Sequence, residues 1–409
     1  MSFRQDWDKL CQRLGPKSAL ISPHRTLTFQ QILQYCQGKH GEKAIVIDLS
    51  NPLEQALRVL EALYQEEAFL LLHPSLSRSE KEGLIQFFQE EVSQHPKQMA
   101  LLSSGTSGKT KLFWRKIESW TDFYPSLAQA FPLSGSDRLY LQGSLSFTGN
   151  LNLLLAALLA GCPVFLDDQL DGKLFASYLD EEQLNKAYLI PSKIRLILPY
   201  LTEGRLEEIW TSSQILDQDL IQKIKQVDPQ LKVRIFYGSA ELSYISWGIL
   251  GQLKAGSVGH LFPQISLEIR DKQLFLSSPF AIEGLPQPYA SQDYGYMDED
   301  QLILQGRGQD WVNQMGKKIY LPALKEKIEK LLSIPVTLLA LDHPLAGQIP
   351  ALILLKKPGQ DLVTIKRLLK EKLPKEEWPR HFLEVESFPL LDSGKINYQK
   401  LKDMIKQRT

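Results

Sequence analysis

Cysteine is nearly absent. Cys11, Cys36 and Cys162 are three residues scattered through 409. An odd, widely spaced set argues against a disulfide framework and fits a reducing, cytoplasmic setting. Excess charge is absent too. Lys plus Arg total 47 and Asp plus Glu total 47, so no global field draws the chain to nucleic acid or to an anionic membrane. The seven histidines never fall at metal-ligand spacing. No Gly-x-Ser-x-Gly elbow and no local Cys–His pair occurs, so those nucleophile arrangements find no support. A long apolar run is also missing. The longest, Leu151 to Leu166, contains Asn152 and is cut by Gly161-Cys162-Pro163, short of the ~18 residues of an integral membrane segment. The N-terminal Met1–Asp8 stretch mixes charges and is no signal peptide.

What is present is ordinary for a globular protein: 43% hydrophobic and 23% charged residues, in a chain long enough for two or three domains. Apolar runs at 44–49, 68–72, 138–141, 163–166 and 233–236 read as strands. Helical patterns at 52–64, 84–92, 150–160 and 216–226 alternate with them. That order predicts a large layered α/β N-terminal domain of mixed sheets and helices. Gly306-Arg307-Gly308 punctuates the chain. Behind it come a helix at 322–332, strands at 336–341 and 351–355, a helix at 362–373 and a strand at 382–385. The expectation is a domain over 1–307 and a small α+β domain over 308–409.

Four short stretches carry candidate chemistry. Ser103-Ser104-Gly105-Thr106-Ser107-Gly108-Lys109-Thr110-Lys111 follows an apolar run. Its glycines permit close backbone approach, and its hydroxyls and lysines suit a polyphosphate. A Walker loop would need glycine where Ser103 stands. Gly108-Lys109-Thr110 fits one, and Val164–Asp168 imitates its metal strand. A P-loop NTPase is therefore one reading. Tyr237-Gly238-Ser239-Ala240-Glu241 ends a predicted strand, where α/β sheets bind ligands. There Tyr can stack on a base and Glu can hold Mg²⁺. Asp293 and Arg307 can clamp ribose hydroxyls or meet phosphate. Late in the chain, Gly394-Lys395 can deliver a cation into a cleft. Each stretch taken singly is commonly a plain surface loop.

In this fixed order the four stretches resemble the adenylate-forming superfamily: acyl- and aryl-CoA synthetases, carrier-protein adenylation domains and luciferases. The resemblance spans roughly residues 20 to 405. It implies that Ser103, Ser104, Gly105, Thr106, Ser107, Gly108, Lys109 and Lys111 wrap the β- and γ-phosphates of ATP. It implies Tyr237 and Gly238 at adenine, Glu241 on Mg²⁺, and Asp293 on the ribose with Arg307 nearby. Lys395 would bridge the substrate carboxylate and the α-phosphate. Lys395, Glu241 and Arg307 would thus be the catalytic set. The implied reaction forms an acyl-AMP and then a thioester, with a mobile C-terminal domain turning about Gln309 to bring Trp311–Gly316 to the thiol. The acceptor would be CoA, or the phosphopantetheine arm of an acyl carrier protein.

Several positions depart from the superfamily pattern: Thr110, Ala240, Gln292, Gln309 and Ser212-Ser213. Ala240 and Gln309 leave open a nucleotide-binding relative without catalysis. Thr148 stands where amino-acid-activating members carry Asp, which argues against an amino acid. The apolar helix behind it suits an acyl or aryl group, as in a fatty acid or an o-succinylbenzoate-like acid.

Overall fold

The computed structural model describes residues 3–38, 44–104, 110–212, 216–314, 317–356, 361–390 and 396–407. The chain divides into two compact units. The first holds residues 1–268, 275–290 and 297–303; the second holds 269–274, 291–296 and 304–409.

In the first unit, local sequence signals account for the helices. Phe3–Leu14 buries Phe3, Trp7, Leu10, Cys11 and Leu14, spaced by three and four. Asn51 accepts from the Leu53 and Glu54 amides and starts the helix Pro52–Gln65. The helix expected from residue 84 begins earlier, at Arg78, because Ser77 and Glu80 close a capping box. Thr148–Leu159 is buried nearly all round and ends at Gly161, whose φ is +78°.

These helices pack on two sheets. One has four strands, Ala44–Ile47, Ala68–Leu71, Met99–Ser104 and Thr110–Arg115, parallel except for the last pair. The larger carries parallel neighbours in the order Ser18–Ser22, Val164–Asp167, Leu139–Gln142, Lys186–Tyr188, Glu208–Thr211 and Lys232–Ser239. Ser243–Ile249 then turns back antiparallel. Phe165, Phe175, Ile194, Ile209 and Ile224 are among the side chains filling the core beneath.

The second unit is built on Gly347–Leu355. Val336–His343 pairs with it antiparallel and His381–Val385 parallel. The hairpin Trp311–Gln314/Lys317–Tyr320 joins through Gln314 and Gly347. Alternation sends Leu352 and Leu354 to one face, with Leu324, Ile328 and Leu369 from the helices Leu321–Leu332 and Leu362–Lys372. Ala351 and Ile353 face the other way, onto Leu401 and Ile405 of Tyr398–Lys406. The elements expected at 322–332, 336–341, 351–355, 362–373 and 382–385 are all present.

Candidate active site

The strands Met99–Ser104 and Thr110–Arg115, which flank the hydroxyl-rich stretch, pair antiparallel in the first unit. Ser104 pairs with Thr110, and Ser103 with Lys111. Gly105, Thr106, Ser107, Gly108 and Lys109 lie outside the described residues, as do the side chains of Ser103 and Ser104; Lys111 is exposed. This geometry corrects the Walker reading. A P-loop runs from strand to helix, whereas Thr110 opens an antiparallel strand. The imitation metal strand also fails. Asp167 accepts the Tyr140 hydroxyl at 2.7 Å, and its strand belongs to the other sheet.

Tyr237 and Gly238 lie within the strand Lys232–Ser239, which runs past its expected end at Phe236. Gly238 faces Tyr244 across the hairpin, where a Cβ would sit 2.3 Å from the Ser243 carbonyl oxygen. Only glycine fits there. The turn beyond carries Glu241. The Leu242 amide donates to Ser239 Oγ at 3.2 Å, and the Ile282 amide donates to the Glu241 carbonyl at 2.8 Å.

The strongest hold on that turn is Arg115, which sequence reasoning missed. It ends the strand Thr110–Arg115 and is 1% exposed. Its guanidinium donates to the carbonyls of Ala240 at 2.9 Å, Glu241 at 3.3 Å and Phe280 at 2.7 Å. It also donates to Ser243 Oγ at 2.9 Å and stacks over Trp120 at 5.5 Å. Burial pushes its pKa down to about 10, and the Glu241 carboxylate opposes that fall. Ser243 is held at φ +65°, an uncommon left-handed conformation for serine.

Asp293 and Arg307 belong to the second unit, which brings them together. Arg307 Nε donates to Asp293 Oδ1 at 2.8 Å. The Asp293 amide donates to Ser291 Oγ, and the Arg307 amide to Asp310 Oδ2 at 2.6 Å. Gly306 has φ +111°, and a Cβ there would lie 2.8 Å from the Tyr320 ring. Burial pushes the Asp310 carboxyl up, partly offset by the Arg307 amide and charge. Lys395 lies outside the described residues, as does the Gln309 side chain.

A further polar cluster lies at the C-terminal ends of the parallel strands. The Tyr188 and Ser212 hydroxyls share a hydrogen bond of 2.8 Å. A Cβ on Gly149 would meet the Tyr188 hydroxyl at 3.0 Å. Asn150 Nδ2 donates to the Gln142 and Ser144 carbonyls, both at 3.1 Å. Lys193 Nζ reaches the same Gln142 carbonyl at 3.4 Å. No local signal marks this group, because separate strand–helix units supply it. The leucines behind Thr148 do not reach it as an acyl wall: Leu151, Leu153, Leu154, Leu155 and Leu158 are core residues, at most 1% exposed.

Among the described residues no group of three or more His, Cys, Asp or Glu could hold a metal, and no helix is long and apolar enough to cross a membrane. Parallel strands that end in a Tyr-Gly and a carboxylate on a braced turn give the ligand-binding edge of an α/β enzyme. Residues 9–275 match the family described as AMP-binding enzyme, and the chain belongs to that family, within the adenylate-forming superfamily. It is similar to VraA of Staphylococcus haemolyticus, a provisionally assigned long chain fatty acid–CoA ligase. Identity is 27% over 311 residues, covering 72% of this chain and 67% of that protein. Its fold matches ATP-bound MatB from Rhodopseudomonas palustris with a TM-score of 0.82 and 14% identity, covering all of both chains. It also matches o-succinylbenzoate CoA synthetase of Bacillus subtilis in complex with its acyl-adenylate intermediate. There the TM-score is 0.82 and identity 17%, covering 97% of this chain and 98% of that one.

Proposed function

We propose that this AMP-forming acid–thiol ligase joins a carboxylic acid to the α-phosphate of ATP, releases pyrophosphate and passes the acyl group to the thiol of CoA. The observation that carries the reading is the Ala240–Glu241 turn, braced by a buried arginine in a chain of the AMP-binding family. The incoming carboxylate is ionised at neutral pH and needs no general base. Charge grows on phosphate oxygens, so fixed cations and amide donors carry the catalysis.

In this reading Ser103–Lys111 cradles the β- and γ-phosphates and Tyr237 stacks on adenine. Asp293, already held by Arg307, accepts from the ribose hydroxyls. Glu241 fits Mg²⁺, because it offers one carboxylate to an ion that keeps water and phosphate oxygens as its other ligands. When bound, Mg²⁺ would neutralise charge on the triphosphate. Residues 1–307 would bind ATP and the acid. Residues 308–409 would act as the lid, turning at Gln309 to withdraw Lys395 and bring in Trp311–Gly316. A carrier-protein thiol replaces CoA in the alternative form of the second step.

The test is acid-dependent ATP–pyrophosphate exchange across fatty, aryl and amino acids, with product analysis. AMP and pyrophosphate are expected. ADP and phosphate, or ATP binding without any exchange, would overturn the reading. Lys395→Ala is expected to abolish exchange while ATP binding, measured by calorimetry, is largely kept. Unchanged exchange in that variant removes the role given to the tail.

A further inference from the structure

Lys193 stands in the first turn of the helix Pro191–Ile197, just past the C-terminal end of the strand Lys186–Tyr188. This is the edge where open α/β sheets bind ligands. Glu208–Thr211 and Lys232–Ser239 continue the same parallel run, and the latter leads into the Glu241 turn. Lys193 is only partly accessible, yet it forms no ion pair among the described residues. Its single hydrogen bond is the 3.4 Å contact with the Gln142 carbonyl, which Asn150 also uses. An ammonium has three donors, so most of its capacity is unmet. Burial pushes its pKa down to about 8, and no neighbouring charge opposes the fall.

The surroundings share this bias. The helix Thr148–Leu159 begins beside Asn150 with no side chain capping its first turn, so its positive end is uncompensated. Tyr188 and Ser212 add hydroxyls at Gly149. The nearby leucines are committed to the core. A long alkyl chain would lie against these polar groups without offering the Lys193 ammonium an acceptor, which is unfavourable. A single negative charge would accept from the Lys193 ammonium.

We propose that Lys193 is the specificity-determining cation of the acid site, and that it receives a second carboxylate carried on the acyl portion of the substrate. The substrate is then a dicarboxylic acid, activated at one end and held at the other. This rests on the acid–thiol ligase reading given above. One carboxylate matches the single charge of Lys193, whereas a phosphate would bring an excess.

The test uses the full chain, with succinate, glutarate, adipate and phthalate set against butyrate, pentanoate, hexanoate and benzoate. Pyrophosphate exchange and calorimetric binding are both measured. At least one dicarboxylate should exceed its monocarboxylate partner about tenfold in kcat/KM. Lys193→Met should lower that value by about 10- to 100-fold, the loss of one charge-assisted hydrogen bond. It should leave monocarboxylates within about twofold, with Lys193→Arg between. Circular dichroism confirms that each variant is folded. A preference for monocarboxylates, or an equal loss for both classes in Lys193→Met, overturns the proposal and leaves the ligase reading standing. Dicarboxylate binding that depends on Lys193 without any exchange upholds Lys193 as the carboxylate-holding cation and overturns both the ligase reading and activation at the other end. No binding and no exchange overturns both.

Discussion

A buried guanidinium is stabilising only when its donors are used. The Arg115 Nη atoms donate to the carbonyls of Ala240, Glu241 and Phe280 and to the Ser119 and Ser243 hydroxyls, so its charge fixes backbone as well as facing the Glu241 carboxylate. Arg115→Met would remove a donor from the Ala240, Glu241 and Phe280 carbonyls, of which Glu241 keeps the Ile282 amide. It is expected to destabilise the fold by about 3 kcal/mol, read as a lower urea midpoint. It is also expected to raise the Mg²⁺ concentration for half-maximal pyrophosphate exchange about tenfold, because the Glu241 turn loses its brace. A fall in stability with an unchanged Mg²⁺ requirement would confine Arg115 to a packing role. Nothing in Trp114-Arg115-Lys116 separates this arginine from a surface one. The carbonyls it holds, and Ser243, lie more than 100 residues away, so local sequence holds no trace of them.

At the scale of the element, a strand and a helix use glycine differently. Gly238→Ala would place a Cβ 2.3 Å from the Ser243 carbonyl oxygen. It should cost about 2 kcal/mol or more and weaken ATP binding, since the strand register around Tyr237 must shift. Gly83 lies inside the helix Arg78–Glu91 with nothing within 4 Å of a new Cβ. Gly83→Ala should therefore raise stability by about 0.5–1 kcal/mol. Thermal melts of the two variants should move in opposite directions. Most elements were legible because their apolar spacing and caps agree, as in Asn51 ahead of Pro52. The hairpin return was not. Gly108-Lys109-Thr110 imitates a helix start, although Leu112-Phe113-Trp114 is strand-like in composition. The polar edge of Tyr188, Lys193 and Ser212 was hidden for another reason: each residue sits on a different element, and only sheet order makes them neighbours.

For the molecule as a whole, the sparse cysteines have a measurable consequence. All three thiols are buried. Burial pushes Cys11 and Cys162 up to about 12 and Cys36 higher still, so thiolate is scarce near neutral pH. Ellman's reagent should label none in the native protein within minutes, and all three once denaturant is added. Rapid native labelling would contradict the packing of the N-terminal helix and of the turn at Cys162. The α/β order of the large unit and the α+β order of the tail were both readable from strand and helix alternation. The division between units was only partly so, because contacts assign 269–274 and 291–296 with the tail, not with their sequence neighbours. The chain therefore passes between the units more than once. A transplant of the tail alone, cut at the glycine pair around Arg307, would separate that arginine from its carboxylate partner. Recombination that exchanges C-terminal modules between enzymes of this kind would need to carry Ser291–Tyr296 along, or leave the recipient to supply its own carboxylate for Arg307.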